Sequence, residues 1–173
     1  MHWEMSEYRI LFRLNRNGIG SRIILTKRKR VVAAGPPNPL DVVPEKIPFD
    51  VPYGPPISLE RAQAAISAVV AEAQKRDWKM NVAVVDSGGN LVAFQRMDGA
   101  MLASIQIAEH KARAAATFRR ETKVFENGIQ VNNLNYLITL DGVVASRGGI
   151  PLLEHGKLIG GIGCSGVPIP RMR

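Results

Sequence analysis

The chain has 173 residues, 46% hydrophobic, 22% charged and 6% aromatic, with a formal net charge of +8 and a pI of about 10.1; this suits one domain of about 100–150 residues plus extra segments. Cys164 is the only cysteine, which excludes an intramolecular disulfide and a cysteine-rich metal site. The positive charge raises the question of nucleic acid, but nine of the 23 lysines and arginines precede Val51, and that distribution, with no aromatic-basic interleaving or recognition motif, argues against nucleic acid as a partner.

In chain order, Met1 to Ala34 shows no sustained period and contains the basic run Lys27, Arg28, Lys29 and Arg30. Gly35-Pro36-Pro37-Asn38-Pro39 then resists regular structure. Residues 1–51 are therefore expected to be an extended, largely irregular extension. Ile10 to Leu14 is too short for the apolar part of a signal peptide, and no stretch approaches the ~20 apolar residues of a membrane span, so a cytoplasmic protein is expected. Pro39, Pro44, Pro48, Pro52, Pro55 and Pro56 alternate with apolar residues as in an extended arm, suited to lie on a neighbouring subunit.

Ser58 is a good N-cap, and Glu60 follows in the first turn. Leu59, Ala62, Ile66, Val69, Val70 and Ala73 recur at helical spacing to about Arg76. Asn81 to Asp86 and Leu91 to Met97 read as strands joined by Ser87-Gly88-Gly89-Asn90, a hairpin. Ala100 to Phe118 reads as a second helix with two apolar stripes: Ile105, Ala108, Ala112 and Ala115 on one side, Ala103, Ile107, Ala114 and Phe118 on the other. The second stripe is expected to meet another subunit or a ligand. After the polar stretch Glu126 to Asn135, Tyr136 to Leu140, Val143 to Ser146 and Ile150 to Leu153 read as strands, and His155-Gly156 turns the chain into Lys157 to Cys164. The order α-β-β-α-β-β-β predicts an α+β domain, an antiparallel sheet with packed helices, over residues 52–167, with a short irregular tail at 168–173.

Lys111 lies between the two stripes, where its ammonium is partly desolvated and favours an anionic partner, with a snorkelling lysine paired to Glu109 or Asp98 as the competing role; Arg96 and Arg113 are further anion-binding candidates. His110 is the one histidine on a helix and the candidate metal or haem ligand. Asp86 and Asp98 close the strands of the hairpin and are candidate acid–base residues, with turn capping as the competing role. The glycines of Gly160-Gly161-Ile162-Gly163 fall within a strand and so do not make a dinucleotide-binding loop; they allow close backbone approach instead.

Pro52-Tyr53-Gly54-Pro55-Pro56-Ile57-Ser58-Leu59, Val82-Ala83-Val84-Val85-Asp86-Ser87-Gly88-Gly89-Asn90-Leu91, Arg96-Met97-Asp98-Gly99, Lys111-Ala112-Arg113-Ala114-Ala115, Arg147-Gly148-Gly149-Ile150-Pro151 and Gly160-Gly161-Ile162-Gly163-Cys164-Ser165-Gly166 together resemble the GlcG/HbpS family, haem-binding or haem-degrading-type domains related to the PduO C-terminal domain. The resemblance implies a profilin-like sheet with packed helices, commonly assembled into octamers or related homo-oligomers, with haem or iron bound in some members. Two departures stand out. Family members usually continue past the Gly-Ile-Gly strand into an acidic C-terminal helix, where this chain runs Val167-Pro168-Ile169-Pro170. Ala114 replaces a hydroxyl residue often found on the iron side of the haem pocket, and alanine cannot ligate iron. The leading expectation is an oligomeric protein binding haem or another anionic small molecule. The alternatives are a small lyase, hydrolase or isomerase acting on an organic acid, with Asp86 or Asp98 as base, and a structural subunit without ligand.

Overall fold

The computed structural model describes residues 51–166 and the backbone of two further strands, β1 (Tyr8–Leu14) and β2 (Ser21–Lys27). The chain divides into two units, Met1–Lys46 and Ile47–Arg173. In the first, β1 and β2 pair as an antiparallel hairpin, Tyr8 opposite Lys27 and Leu14 opposite Ser21. The sequence reading expected irregular chain there. The overlooked signal is the alternation of Tyr8, Ile10, Phe12 and Leu14 with Arg9 and Arg13, the two-residue period of a strand.

The second unit is built on α1 (Leu59–Lys75), β3 (Asn81–Asp86), β4 (Leu91–Arg96), α2 (Ser104–Thr117), α3 (Lys123–Gln130), a 3-10 helix (Asn135–Thr139), β5 (Gly149–Glu154) and β6 (Lys157–Ser165). The four strands form one antiparallel sheet in the order β4-β3-β6-β5. It is an α+β fold. Ser58 caps α1 through a hydrogen bond donated by the Arg61 N–H, and Ala62, Ile66, Val70 and Ala73 are buried as the spacing predicts.

Strand alternation sends the two halves of β3 to different cores. Val82 and Val84 pack with α1, together with Ile159 and Ile162, whereas Ala83 and Val85 pack with Ala108, Ala112 and Ala116 of α2. The helices thus cover opposite faces of the sheet. In β6 the pairing with β5 skips Ile159, Leu152 lying opposite Gly160 and Leu153 opposite Leu158. This bulge lets Leu158 face α2, Ile159 face α1, and Gly161 and Gly163 face α2 again. A Cβ on Gly161 would overlap the carbonyl oxygen of Ala112, and one on Gly163 that of Ala108. The small residues on both elements bring the α2 backbone directly onto the β6 backbone.

Residues 51–57 run beside the start of β6 in the same chain. Gly54 N–H donates to the Leu158 carbonyl at 2.7 Å, Leu158 N–H to the Pro52 carbonyl at 2.8 Å, and Ile57 N–H to the Ile159 carbonyl at 2.8 Å. The remainder of the expected arm lies outside the described residues, as does the tail at 168–173.

Two expected strands are not strands. Glu126 to Asn135, expected as loop, contains most of α3, and Tyr136 to Leu140 forms a 3-10 turn; Val143 to Ser146 is irregular. Asn133 adopts a left-handed φ of 54°, the Thr139 hydroxyl donates to the Tyr136 carbonyl at 2.7 Å, and Leu137 packs against Gly128, where a Cβ would lie 2.7 Å from the leucine Cδ1. Local hydrogen bonds and one buried leucine satisfy this segment without a partner strand. The expected helix from Ala100 starts instead at Ser104.

Candidate functional site

The predicted site residues do not converge. The antiparallel pairing places Arg96 opposite Asn81, while Asp86 and Leu91 stand at the turn. Asp86 and Asp98 are therefore at opposite ends of the hairpin, separated by about five residues of strand or ~17 Å. The expected acid–base pair is not assembled. Both oxygens of Asp86 serve the turn: Oδ1 accepts from the Gly88 N–H at 2.8 Å and the Asn90 N–H at 2.9 Å, and the Asn90 amide reaches both oxygens. Partial burial raises its pKa, but the hydrogen bonds from Asn90, Gly88 and Gly89 outweigh that and hold it below the usual aspartate value. Asp98 is exposed.

Arg113 is also committed to this turn, its Nε donating to the Gly89 carbonyl at 3.2 Å. Lys111 and Arg113, two residues apart on α2, project about 200° apart around the helix, so they cannot share a ligand on one side. Arg96 is exposed at the far end of β4. His110 is exposed and Ala114 fully buried. The second apolar stripe of α2 is covered in part by the chain itself: Phe118 meets Phe125 of α3 edge-to-face at 5.2 Å. From the sequence, in which α3 is not apparent, that cover is expected from another subunit or a ligand.

Lys111 is the predicted residue that lies at an organised centre. It is 6% exposed, and its Nζ donates one long hydrogen bond, 3.4 Å, to the Cys164 carbonyl. Gly148, at φ 113°, lies against it: a Cβ there would be in ordinary contact with Nζ at 3.5 Å and would crowd the Cys164 carbonyl oxygen at 2.7 Å. Burial pushes the lysine pKa below its ordinary value, and nearby Cys164 and Glu126 act in the opposite direction. Glu126 sits in the first turn of α3, where its carboxylate accepts from Arg147 at three points: the backbone N–H at 2.6 Å, Nε at 2.9 Å and Nη2 at 2.7 Å. The Arg147 side chain and N–H hold Glu126 below the usual glutamate pKa, and the carboxylate is ionised at neutral pH. A buried cation, an anion and an exposed cation thus follow one another from the sheet toward solvent.

Thr122 fixes the floor of this centre. Its fully buried hydroxyl donates to the Ser146 carbonyl at 2.7 Å and accepts from the Gly149 N–H at 2.9 Å, while its own N–H donates to the Gly149 carbonyl at 3.0 Å. Thr122→Val keeps the shape and strands both polar groups; we expect a loss of about 1–3 kcal/mol in a urea unfolding measurement. A loss below about 0.5 kcal/mol would show that water replaces the hydroxyl there. Glu126, Arg147 and Thr122 were missed in the sequence. The available signal was Arg147-Gly148-Gly149, whose glycines mark close backbone approach.

Cys164, on the neighbouring stretch of β6, packs with the core beneath α1 and lines a cleft of about 390 Å³ with Ala68, Val69, Ala73, Trp78 and Met80. Burial raises its thiol pKa to about 11, the Lys111 charge offsetting part of the rise. It is a protonated, unreactive thiol at neutral pH.

A family model described as haem degrading protein HbpS-like matches residues 57–170. The chain belongs to the HbpS-like family. It is 39% identical over 109 residues to protein GlcG of Escherichia coli strain K12, covering 63% of this chain and 81% of GlcG. Its fold is similar to the crystal structure of a Streptomyces reticuli HbpS double mutant, with TM-score 0.61, 27% identity, and 83% and 88% of the two chains covered. It is also similar to the crystal structure of a PduOC–haem complex, with TM-score 0.59, 28% identity, and 65% and 84% covered.

Against that family background, the residues of this HbpS-like domain fit haem unevenly. The buried ammonium of Lys111, with one long hydrogen bond, suits a propionate. Ala114 offers iron nothing, and among the described residues no group of three or more His, Cys, Asp and Glu gathers to hold a metal ion. His110 is the imidazole available on α2, and it faces solvent in a single copy. Among the described residues no helix is long and apolar enough to cross a membrane.

Proposed function

We propose that this chain is a homo-oligomeric binding protein for an anionic small molecule, with haem the ligand its family favours and Lys111 the anion partner. The observation that carries this reading is a buried ammonium with one long hydrogen bond, beside a Glu126 carboxylate that is taken up by Arg147. An ammonium so placed is costly unless a negative group completes its shell. A ligand carboxylate entering beside Gly148 meets Lys111 and draws Arg147, whose side chain is 69% exposed, away from Glu126 or into a shared ion pair. The haem-bound PduOC relative supports the choice of ligand. Iron, when present, would take its protein ligand from His110.

Self-association is supported by the apolar groups that a single copy leaves in water. Leu102 is 68% exposed, Val131 71% and Ile138 72%. Contact with another copy would take such groups out of water, and an assembly of octamer type also suits the family. In a reducing cytoplasm, the setting we propose, Cys164 remains a thiol.

Hemin titration tests this reading. The wild type is expected to give a saturable, shifted Soret band; Lys111→Met weakens the apparent Kd by about 10-fold or more, the loss of one charge-assisted contact, and His110→Ala shifts the band position. Native mass spectrometry is expected to show an oligomer that retains the ligand. A spectrum identical to free hemin sinks the haem assignment, and a monomer by mass sinks the oligomer.

A further inference from the structure

The start of α2 holds a second polar centre, unconnected with the ligand reading. Asn81 and Ser104 are both fully buried, yet Asn81 Oδ1 and Ser104 Oγ have no hydrogen-bond partner among the described residues. They are neighbours: the Asn81 side-chain amide donates to the Met101 carbonyl at 3.0 Å, and the Ser104 N–H donates to the same oxygen at 3.1 Å. That bond fixes the orientation of the amide, because turning it over would set oxygen against oxygen at Met101. Oδ1 is therefore an acceptor in need of a donor. Ser165 joins them, since it is opposite Asn81 in the sheet and 8% exposed. Along β6, Gly161 meets Ala112 and Gly163 meets Ala108; the next residue on that face, Ser165, falls under the first turn of α2, where Ser104 sits.

We infer that this centre is a closed binding site for one water molecule, which donates to Asn81 Oδ1 and accepts from the Ser104 hydroxyl. Three facts of chemistry choose water over an ion: the orphan acceptor Oδ1 repels an anion, among the described residues no group of three or more His, Cys, Asp and Glu gathers to hold a metal cation, and the full burial of Asn81 and Ser104 suits a small solute. Two orphaned polar atoms buried side by side cost far more than one ordered water, and Ser165 offers the third partner that such waters usually have. The site also accounts for the late start of α2. Asn81 captures the Met101 carbonyl, and the Met101–Ala103 turn is held by β3 instead of joining the helix. Ala103 at the N-cap has no side-chain bond to give, so Ser104 and its water close the helix end.

A high-resolution crystal structure of the wild-type protein tests this directly. The expected result is an ordered density peak about 2.7–3.2 Å from both Asn81 Oδ1 and Ser104 Oγ. In solution, cross-peaks between the Asn81 side-chain amide and a long-lived water are expected in the wild type and lost in Ser104→Ala. Empty density between the two side chains, or a direct hydrogen bond from the Ser104 hydroxyl to Asn81 Oδ1, overturns the inference. Should Ser104→Ala fail to fold, the wild-type density and cross-peaks decide the matter alone.

Discussion

Gly163→Val is expected to destabilise the domain by at least about 3 kcal/mol, enough to lose most of the folded population in a protein of ordinary stability. The first added carbon would overlap the Ala108 carbonyl oxygen and stand 2.5 Å from the Ala112 nitrogen. Both are backbone atoms within a helix, so no rotamer change relieves the clash; α2 must lift away from the sheet. Lifting it strips cover from Ala83, Val85 and Leu158 and withdraws Lys111 from its cradle at Gly148 and Cys164. Gly161→Val is expected to behave similarly, with Ala116 nitrogen 3.0 Å from the new carbon. Gly156→Asn supplies the contrast. That residue has a φ of 75° and nothing within 4 Å of a would-be Cβ, and asparagine tolerates left-handed backbone, so the change should stay within about 0.5 kcal/mol. Urea midpoints for the three variants settle the point. A Gly163→Val protein as stable as wild type would mean that α2 does not rest on β6 as described.

The second large effect is expected in alkali. Cys164 has a folded pKa raised from 9.0 to about 11. Between those values the unfolded chain releases the thiol proton and the folded chain keeps it, so stability from this group is complete below pH 9 and is lost as pH rises toward 11. Lys111 works in the other direction: its folded pKa is lowered from 10.5, so the penalty for burying its charge is present at neutral pH and relieved as pH rises toward 10.5. The stability difference between wild type and Cys164→Ala isolates the thiol. That difference should move by about 2 kcal/mol against the wild type from pH 9 to pH 11, most of the ~2.7 kcal/mol that two pKa units at 1.36 kcal/mol each give over the whole titration. Lys111→Met should show the reverse tendency, gaining least over wild type at the alkaline end. A wild-type-minus-Cys164→Ala difference that is flat in pH would place the thiol in solvent, away from the core under α1.

Both predictions turn on the same stretch of β6, where glycines and a cysteine alternate between the two faces of the sheet. Its importance was only partly legible in the sequence. The run Gly160-Gly161-Ile162-Gly163 announced close backbone approach, but which backbone approaches could not be read from one strand. The bulge at Ile159, which sets the face that each glycine occupies, depends on pairing with β5. For the candidate site the limit was more severe. Lys111 was identifiable from its place on the helix, because helical periodicity is local. Arg96 and Arg113 are expected beside it in a pocket lined by the second helix and the first hairpin, but Arg96 stands at the far end of β4 and Arg113 about 200° from Lys111 around α2. Glu126, Arg147 and Thr122 are 11 to 36 residues from Lys111 in the chain, and no local pattern ties them to it.

What the amino-acid sequence determined by itself is whatever short-range physics controls: the capped helix from Ser58, the glycine hairpin between Asp86 and Leu91, the alanine-rich second helix, and an antiparallel α+β plan. Family motifs spread across two thirds of the chain added the fold's relatives. The tertiary structure alone decided that α1 and α2 lie on opposite faces of the sheet, that Tyr136 to Leu140 curls into a 3-10 turn, and that Lys111 is buried beside Gly148 behind the Glu126–Arg147 pair. The reason is that burial and charge pairing are summed over residues distant in sequence. A side chain's own neighbours in the chain fix its direction from the backbone, but not what it will meet there.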